Sequence, residues 1–343
     1  MHFPENIPEN ASFLRKEGIY MIRVDLITGF LGSGKTTFIK KYAQYWISQG
    51  EKVGILENDY GAVNVDMLLL QSLRGQSCEL EMVAGGCDAD CHRRRFKTKL
   101  ISMAMTGYNR VIIEPSGLFD MDEFFDALRE EPLENWYEIG SVITVLEAKR
   151  DKNLSETEEY FLLSQLFNAG TILLSKQDKA SPGDLAETME YLAEASQKLG
   201  TRRALTDLVV DKPWEALEPS DYEAMAASGY QLSSYVKKLT SIEEAGFMTV
   251  YLLEHGMRED TLRALVAKLY SDETYGQVHR IKGFFLDEAG SWYELNATRA
   301  ELSIEPIPVG QEVLIIIGHN LDEDGIKTKI ANSYGNEERN PVI

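Results

Sequence analysis

The stretch Gly29-Phe-Leu-Gly-Ser-Gly-Lys-Thr36 constrains this chain more than any other. It follows the apolar run MIRVDLITG (21–29) and precedes a segment with Phe38, Ile39, Tyr42, Trp46 and Ile47 at helical spacing. A strand, a glycine-rich turn and a helix in that order give the pattern G-x-x-x-x-G-K-[ST] its meaning. Backbone N–H groups can turn inward around a phosphate only where glycine lets the chain come close. Lys35 is then placed to reach the β- and γ-phosphates of a nucleotide, and the Thr36 hydroxyl to ligate Mg²⁺. Gly29, Gly32, Ser33, Gly34 and Thr37 complete the expected nucleotide-binding loop.

Around this loop, apolar runs alternate with amphipathic ones. Helices are expected at Lys35–Gln49, Glu156–Asn168 and Pro182–Leu199. Strands are expected at Glu51–Glu57, Asn109–Glu114, Ser141–Leu146 and Thr171–Ser175. Such alternation predicts an α/β fold, a P-loop NTPase domain with a mostly parallel sheet and helices on both faces. Ligands then bind at the carboxyl ends of the strands. The expected organisation is an extension over 1–20, a P-loop domain over 21–210, a linker over 211–245 rich in Glu, Ala, Ser and Pro, and a smaller C-terminal domain over 246–343. In that last part a strand at Phe247–Leu253 and a helix at Glu259–Tyr270 come first. Strands at Gln277–Leu286, Ser291–Ile304 and Glu312–Ile317 follow, then a helix near Asp324–Ala331. The order β-α-β-β-β-α predicts an antiparallel α+β domain with its helices on one face.

Other segments become informative beside the P-loop. Glu114-Pro-Ser-Gly117 ends a strand, so Glu114 is placed to hold Mg²⁺ through water and Gly117 to lend its N–H to the γ-phosphate. Ser175-Lys176-Gln177-Asp178 also follows a strand. GTPases commonly carry Asn-Lys-x-Asp at that point, and the Asp carboxylate accepts from the guanine N1–H and N2–H₂. A buried Asp178 would be left unpaired against adenine, which favours GTP. Ser175 in place of Asn loses the side-chain amide that normally braces the loop. Asn58-Asp59-Tyr-Gly61 lies where a switch loop would sit, with Asp59 set to touch Mg²⁺ or position water.

All three cysteines, Cys78, Cys87 and Cys91, fall in one short stretch. That is a poor disulfide framework and reads as a reduced metal or redox site in a cytoplasmic protein. Cys87-Asp-Ala-Asp90-Cys91-His92 offers two thiolates, a carboxylate and an imidazole, with Cys78 near enough in sequence to join. The run His92–Arg95 reads as the solvated start of a helix, and His255, His279 and His319 default to packing or surface roles. A formal net charge of −20 disfavours nucleic acid and anionic lipid as partners. No run of about 18 apolar residues is present to span a membrane. The first twenty residues lack the apolar core of a signal peptide, and Met21 stands directly before the first strand.

Taken as a set, these residues resemble the CobW family of metal-chaperone GTPases, relatives of the nickel-enzyme maturation factors UreG and HypB. The likeness runs from Met21 through TGFLGSGKTT, Asn58–Gly61, Gly86–Cys87, Glu114–Gly117 with Asp120, and the base-reading loop. It continues into GQVHRIKGFF (276–285) and LIIIGHNLDEDGI (314–326). The resemblance implies slow GTP hydrolysis with Mg²⁺, and Zn²⁺ or Co²⁺ bound near the switch regions for delivery to a client metalloprotein. Lys35, Asp59 and Glu114 would carry the catalytic roles, and Lys176 and Asp178 would read the base. Where the family has C-x-C-C, this chain has Cys87, Ala89 and Asp90, with Cys91 one residue later, so Cys87, Asp90, Cys91 and His92 form the candidate set for the transition metal. A small-molecule kinase and a non-catalytic nucleotide-gated scaffold are the alternative readings, and homodimerisation stays open.

Overall fold

Strand Ile22–Thr28 (β1) is buried along almost its whole length, and its side chains serve two cores at once. Val24 and Leu26 pack with Phe96, Leu100, Phe124 and Leu128 on one face. Ile27 packs with Phe38, Ile39 and Tyr42 on the other. A strand apolar on both sides needs helices above and below it, and that is the environment a parallel sheet supplies. The computed structural model describes residues 15–16, 19–59, 69–84, 89–115, 121–152, 154–201, 203–231, 247–299, 301–308 and 310–334. The chain divides into two compact units, Met1–Val236 and Lys237–Ile343.

In the first unit, β1 is joined by Val53–Asp59 (β2), Cys78–Ala84 (β3), Arg110–Pro115 (β4), Tyr137–Glu147 (β5), Thr171–Ser175 (β6) and Val209–Val210 (β7). Among the described residues the order is β3-β2-β4-β1-β5-β6-β7, with every pairing parallel. The connections run to one side of β1 and then cross to the other. The loop leaving β1 therefore opens at the place where such sheets bind ligands. The helices between are Lys35–Ser48 (α1), Ala89–Ala104 (α2), Met121–Arg129 (α3), Glu156–Asn168 (α4) and Pro182–Leu199 (α5). Their starts are chemically distinct. Ser155 with Glu158 and Ser181 with Asp184 close capping boxes on α4 and α5. Helix α1 begins at Gly34 with no side-chain cap.

The composition of residues 211–245 suggested a linker, but 211–231 belong to the first unit's core. Pro219–Ala227 (α6) buries Met225 and Ala226 against α1 residues, and Tyr222 stacks on Tyr45 with 4.8 Å between ring centres. Tyr230 stacks on Phe125 at 5.1 Å. Small and charged residues hid this helix because it buries only a narrow stripe. Residues 232–246 lie outside the described residues.

The second unit holds Phe247–Leu253 (β8), Glu259–Ser271 (α7), Gln277–Leu286 (β9), Trp292–Thr298 (β10), Leu302–Ile307 (β11), Val313–His319 (β12) and Glu323–Tyr334 (α8). Its strands pair antiparallel in the order β8-β12-β9-β10-β11. Leu262, Val266 and Leu269 of α7 and Ile326 of α8 share one core with Val250, Ile281, Leu295 and Ile316 of the sheet. The run 291–304, expected as one strand, holds parts of two antiparallel strands, β10 ending at Thr298 and β11 beginning at Leu302. Alternation persists across that break, so pattern alone does not reveal it. His255 is buried, its Nε2 3.3 Å from the Phe284 carbonyl, which is the packing role expected for it.

A buried charge cluster ties the lower half of the parallel sheet to α1. Asp25 on β1 accepts from Tyr42 Oη at 2.8 Å and from the Ser141 N–H at 3.1 Å, and it pairs with Arg110. Arg110 also pairs with Glu51 at 2.7 Å and stacks over Trp46 at 3.7 Å. Burial, then the Asp25 charge, pushes the Tyr42 phenol well above its usual range, so it stays a donor. Burial disfavours the Arg110 charge, but Asp25, Tyr42 and Glu51 outweigh that and hold it ionised. Removing one member of a buried pair strands the other. Asp25→Ala is expected to destabilise the first unit by about 3–5 kcal/mol in denaturant melts, whereas Asp25→Leu with Arg110→Met costs less than either single change.

Candidate functional site

The loop between β1 and α1 has the geometry its glycines predict. Gly29 sits at φ 146°, and a Cβ there would lie 2.4 Å from the Val145 carbonyl oxygen, closer than any side chain tolerates. Gly34 adopts φ 97°, in the left-handed region, as it turns the chain into α1. Because no side chain caps α1 and no acidic residue lies in its first turn, the N–H groups at that end face an anion-binding position. Ser33 is buried beside them.

Three side chains converge at the tips of β1 and β4. Glu114 Oε1 accepts from Thr36 Oγ1 at 3.3 Å and lies 3.8 Å from Lys35 Nζ. Lys35 Nζ also donates to the Phe30 carbonyl at 3.4 Å, which folds it back over the loop. Both Lys35 and Glu114 are only 6 % exposed, so this charge pair is held away from bulk water. A half-buried hydroxyl and a buried carboxylate one hydrogen bond apart form a hard oxygen pair that fits Mg²⁺, next to a cation and a helix start that fit phosphate. The strand register makes the meeting inevitable. Leu26 pairs with Ile113, so Glu114 lies one residue past the last position of β4 paired with β1, beside the P-loop. Gly117 and Asp120 lie outside the described residues.

At the end of β6, Lys176 has φ 53°, a left-handed conformation uncommon for a side chain with a Cβ. Such a residue persists where the surroundings demand it, often at a site. Its Nζ pairs with Glu147 Oε1 at 2.8 Å, at the tip of β5. Asp178 lies in the 3₁₀ turn Gln177–Lys179 and is exposed, not buried as expected, because that short turn runs along the surface. A residue the motifs did not single out also reaches this loop. Trp214, in the segment read as linker, donates its indole N–H to the Leu174 carbonyl at 2.8 Å.

The structure separates the metal candidates. Cys78 starts β3, where it is buried among Ile55, Leu70 and other apolar side chains. The strand runs on to Ala84, roughly 20 Å away at about 3.3 Å per residue. Cys78 is therefore at the opposite end of the sheet from Cys91 and cannot join its site. Burial, with help from Glu79, pushes its thiol up to about 11, so it is a small hydrophobe at neutral pH. Cys91 is half-buried in the first turn of α2. His92, expected at a solvated helix start, is buried, and its Nε2 lies 2.7 Å from Asn58 Oδ1 at the tip of β2. With an amide oxygen facing it, Nε2 is the donor of that bond, which fixes the orientation of the ring. Cys87 lies outside the described residues, as do the side chains of Asp59 and Asp90. Among the described residues, no group of three His, Cys, Asp or Glu side chains is placed to hold a metal. Nor is any described helix long and apolar enough to cross a membrane.

Residues 23–202 match the family model described as CobW/HypB/UreG, nucleotide-binding domain. The zinc chaperone YeiR of Escherichia coli (strain K12) is 30% identical over 165 residues, 47% of this chain and 48% of that protein. The chain thus spans about half the length of this relative. The zinc-regulated GTPase metalloprotein activator 1 of Schizosaccharomyces pombe is 21% identical over 347 residues, 88% of this chain and 83% of that protein. Among solved structures, the Zn(II)-bound YjiA GTPase from E. coli aligns with a TM-score of 0.40 at 19% identity, covering 92% of this chain and 99% of that one. The burial of Cys78 has a direct check. Alkylation of the native protein near pH 7.5, read by mass spectrometry, is expected to modify Cys91 and spare Cys78 until denaturant is added. Prompt labelling of Cys78 would contradict its burial.

Proposed function

The chain belongs to the CobW/HypB/UreG family of nucleotide-binding proteins, and from that premise we propose that it is a GTPase that couples its nucleotide state to binding and release of a transition-metal ion, Zn²⁺ or Co²⁺. The observation that carries the nucleotide half is the convergence of Lys35, Thr36 and Glu114 beside an uncapped helix start. A glycine-rich turn that opens a helix beside a buried lysine and carboxylate suits an anionic phosphate with its divalent cation. The zinc-chaperone names of relatives such as YeiR support the metal half.

In this reading Lys35 and the N–H groups of Gly32 to Thr37 hold the β- and γ-phosphates. Thr36 and Glu114 hold Mg²⁺, which when bound spreads and neutralises charge on the phosphates. Asp59 and Glu114 orient the attacking water, and Gly117 donates to the γ-phosphate. Lys176 and Asp178 face the base, and the Asp178 carboxylate selects guanine. Turnover is slow, since the residues named include neither a glutamine aimed at the water nor an arginine aimed at the phosphates. For the metal, Cys87, Asp90, Cys91 and His92 form a mixed set that suits a borderline ion better than Cu(I). Asn58 holds the His92 ring in place at Nε2. It does so from the tip of β2, whose Glu57 and Asn58 pair with Glu114 and Pro115 of β4. One bonded path therefore runs from the Mg²⁺ and γ-phosphate residues to the metal loop. The ordering of that path by GTP tightens metal, and metal must tighten GTP by the same factor. The protein acts in the cytoplasm, and its client is a metalloprotein.

Zinc titration of the full chain with Mg²⁺ and a non-hydrolysable GTP analogue is expected to give tighter binding than titration with GDP. Cys87→Ala with Cys91→Ala abolishes that difference, while Lys35→Ala abolishes nucleotide binding. Equal zinc affinities in the two nucleotide states would sink the coupling. Tight GTP binding with no phosphate release, even with zinc present, would favour a nucleotide-gated scaffold instead.

A further inference from the structure

The segment after β7 reaches the nucleotide face. β7 runs beside β6 and pairs Ile172 with Val209 and Leu173 with Val210. The turn that follows β7 thus leaves the sheet at the height of the base-reading loop. In that turn, Trp214 touches three parts of the site. Its Nε1–H donates to the Leu174 carbonyl at 2.8 Å, one residue before Ser175. Its ring lies 5.7 Å from that of Phe38 on α1, tilted by 59°. Its Cη2 lies 3.2 Å from the point where a Gly34 side chain would begin, and Ser175 Cβ lies 3.8 Å from the same point. The indole therefore occupies the space where the P-loop and the base-reading loop meet.

We propose that Trp214 is a positioning residue for the nucleotide, bracing the P-loop against the base-reading loop in place of the asparagine amide that Ser175 lacks. The proposal rests on the nucleotide reading above and concerns how that same site is held. Two observations favour it. The Ser175 hydroxyl donates to the Leu146 carbonyl at 3.4 Å, along the sheet and toward β5 rather than across to the P-loop. At Gly34, with φ 97°, a Cβ would meet the ring edge at 3.2 Å, a tight approach, so loop and indole lie close to one another. Trp214 itself packs, with Leu217 and Tyr222, against the core that holds Phe38. A nucleoside triphosphate must meet the phosphate cradle and the base reader at once. Fixing the separation of the two loops before binding removes an ordering cost from the bound state.

The test uses the full chain and titrations with GDP and a non-hydrolysable GTP analogue, with circular dichroism to verify the fold of each variant. Trp214→Phe keeps the ring and deletes the N–H. It is expected to weaken both guanine nucleotides about tenfold, the scale of one lost hydrogen bond. It should also raise amide hydrogen exchange in residues 29–36 of the nucleotide-free protein. Adding Ser175→Asn to Trp214→Phe is expected to restore most of the affinity, whereas Ser175→Asn alone changes little. A merely structural tryptophan would not be rescued from position 175. A Trp214→Phe chain that binds like the parent, or one that Ser175→Asn fails to rescue, overturns the brace and leaves the GTPase reading standing. A parent chain that binds neither nucleotide overturns the GTPase reading and the brace with it.

Discussion

Parallel pairing of β1 between β4 and β5 sets the geometry of everything at the nucleotide face. Register along β1 and β4 brings Glu114 to the mouth of the loop that carries Lys35 and Thr36. A slip of one residue would turn Glu114 to the opposite face of the sheet. That register is in turn held by side chains that alternate between two apolar cores, so that no slipped pairing buries Leu26 and Ile27 on their proper sides. The site is thus a consequence of the packing. The carboxylate, the ammonium and the hydroxyl meet because the hydrophobic faces leave their strands and helix one arrangement.

The sheet carries its charges at both ends, with opposite consequences. At the lower end Asp25, Arg110, Glu51 and Tyr42, with Arg23 3.5 Å from Asp25, form a set in which each charge has a partner. At the upper end Lys35 and Glu114 are nearly as deeply buried but sit beside an uncapped helix. The first cluster is a fastening between β1, β4 and α1. The second keeps its polar groups directed at one place, the start of α1, as the proposed nucleotide site requires. The same contrast separates the cysteines. Cys78 faces the apolar core, with its thiol raised to about 11, whereas Cys91 is half-buried in the first turn of α2.

Much of this was legible in the residues. The P-loop, strand β6 and helices α4 and α5 follow from local signals: glycines at fixed spacing, apolar periodicity, and Ser at the helix starts with Glu or Asp three residues on. What was not legible depended on distant partners. Helix α6 and Trp214 lie in a stretch whose composition suggests a linker, because the few residues that matter there are buried by α1 and β6 and not by one another. The split of 291–304 into β10 and β11 is silent in the alternation, since a turn between paired strands keeps the same period. The spacing of Cys78 from Cys87 suggested proximity, yet an extended strand carries the chain away from that end of the sheet.

The sequence by itself determined the class of fold and the chemistry of the P-loop, because both arise from patterns a few residues long. Only the tertiary structure decided which side chains meet. It joined Glu114 to Thr36, His92 to Asn58 and Trp214 to Gly34, and it sent Cys78 to the other end. Those meetings depend on strand order and register. Both are set by the burial of two apolar faces across the whole first unit, which no short stretch of sequence contains.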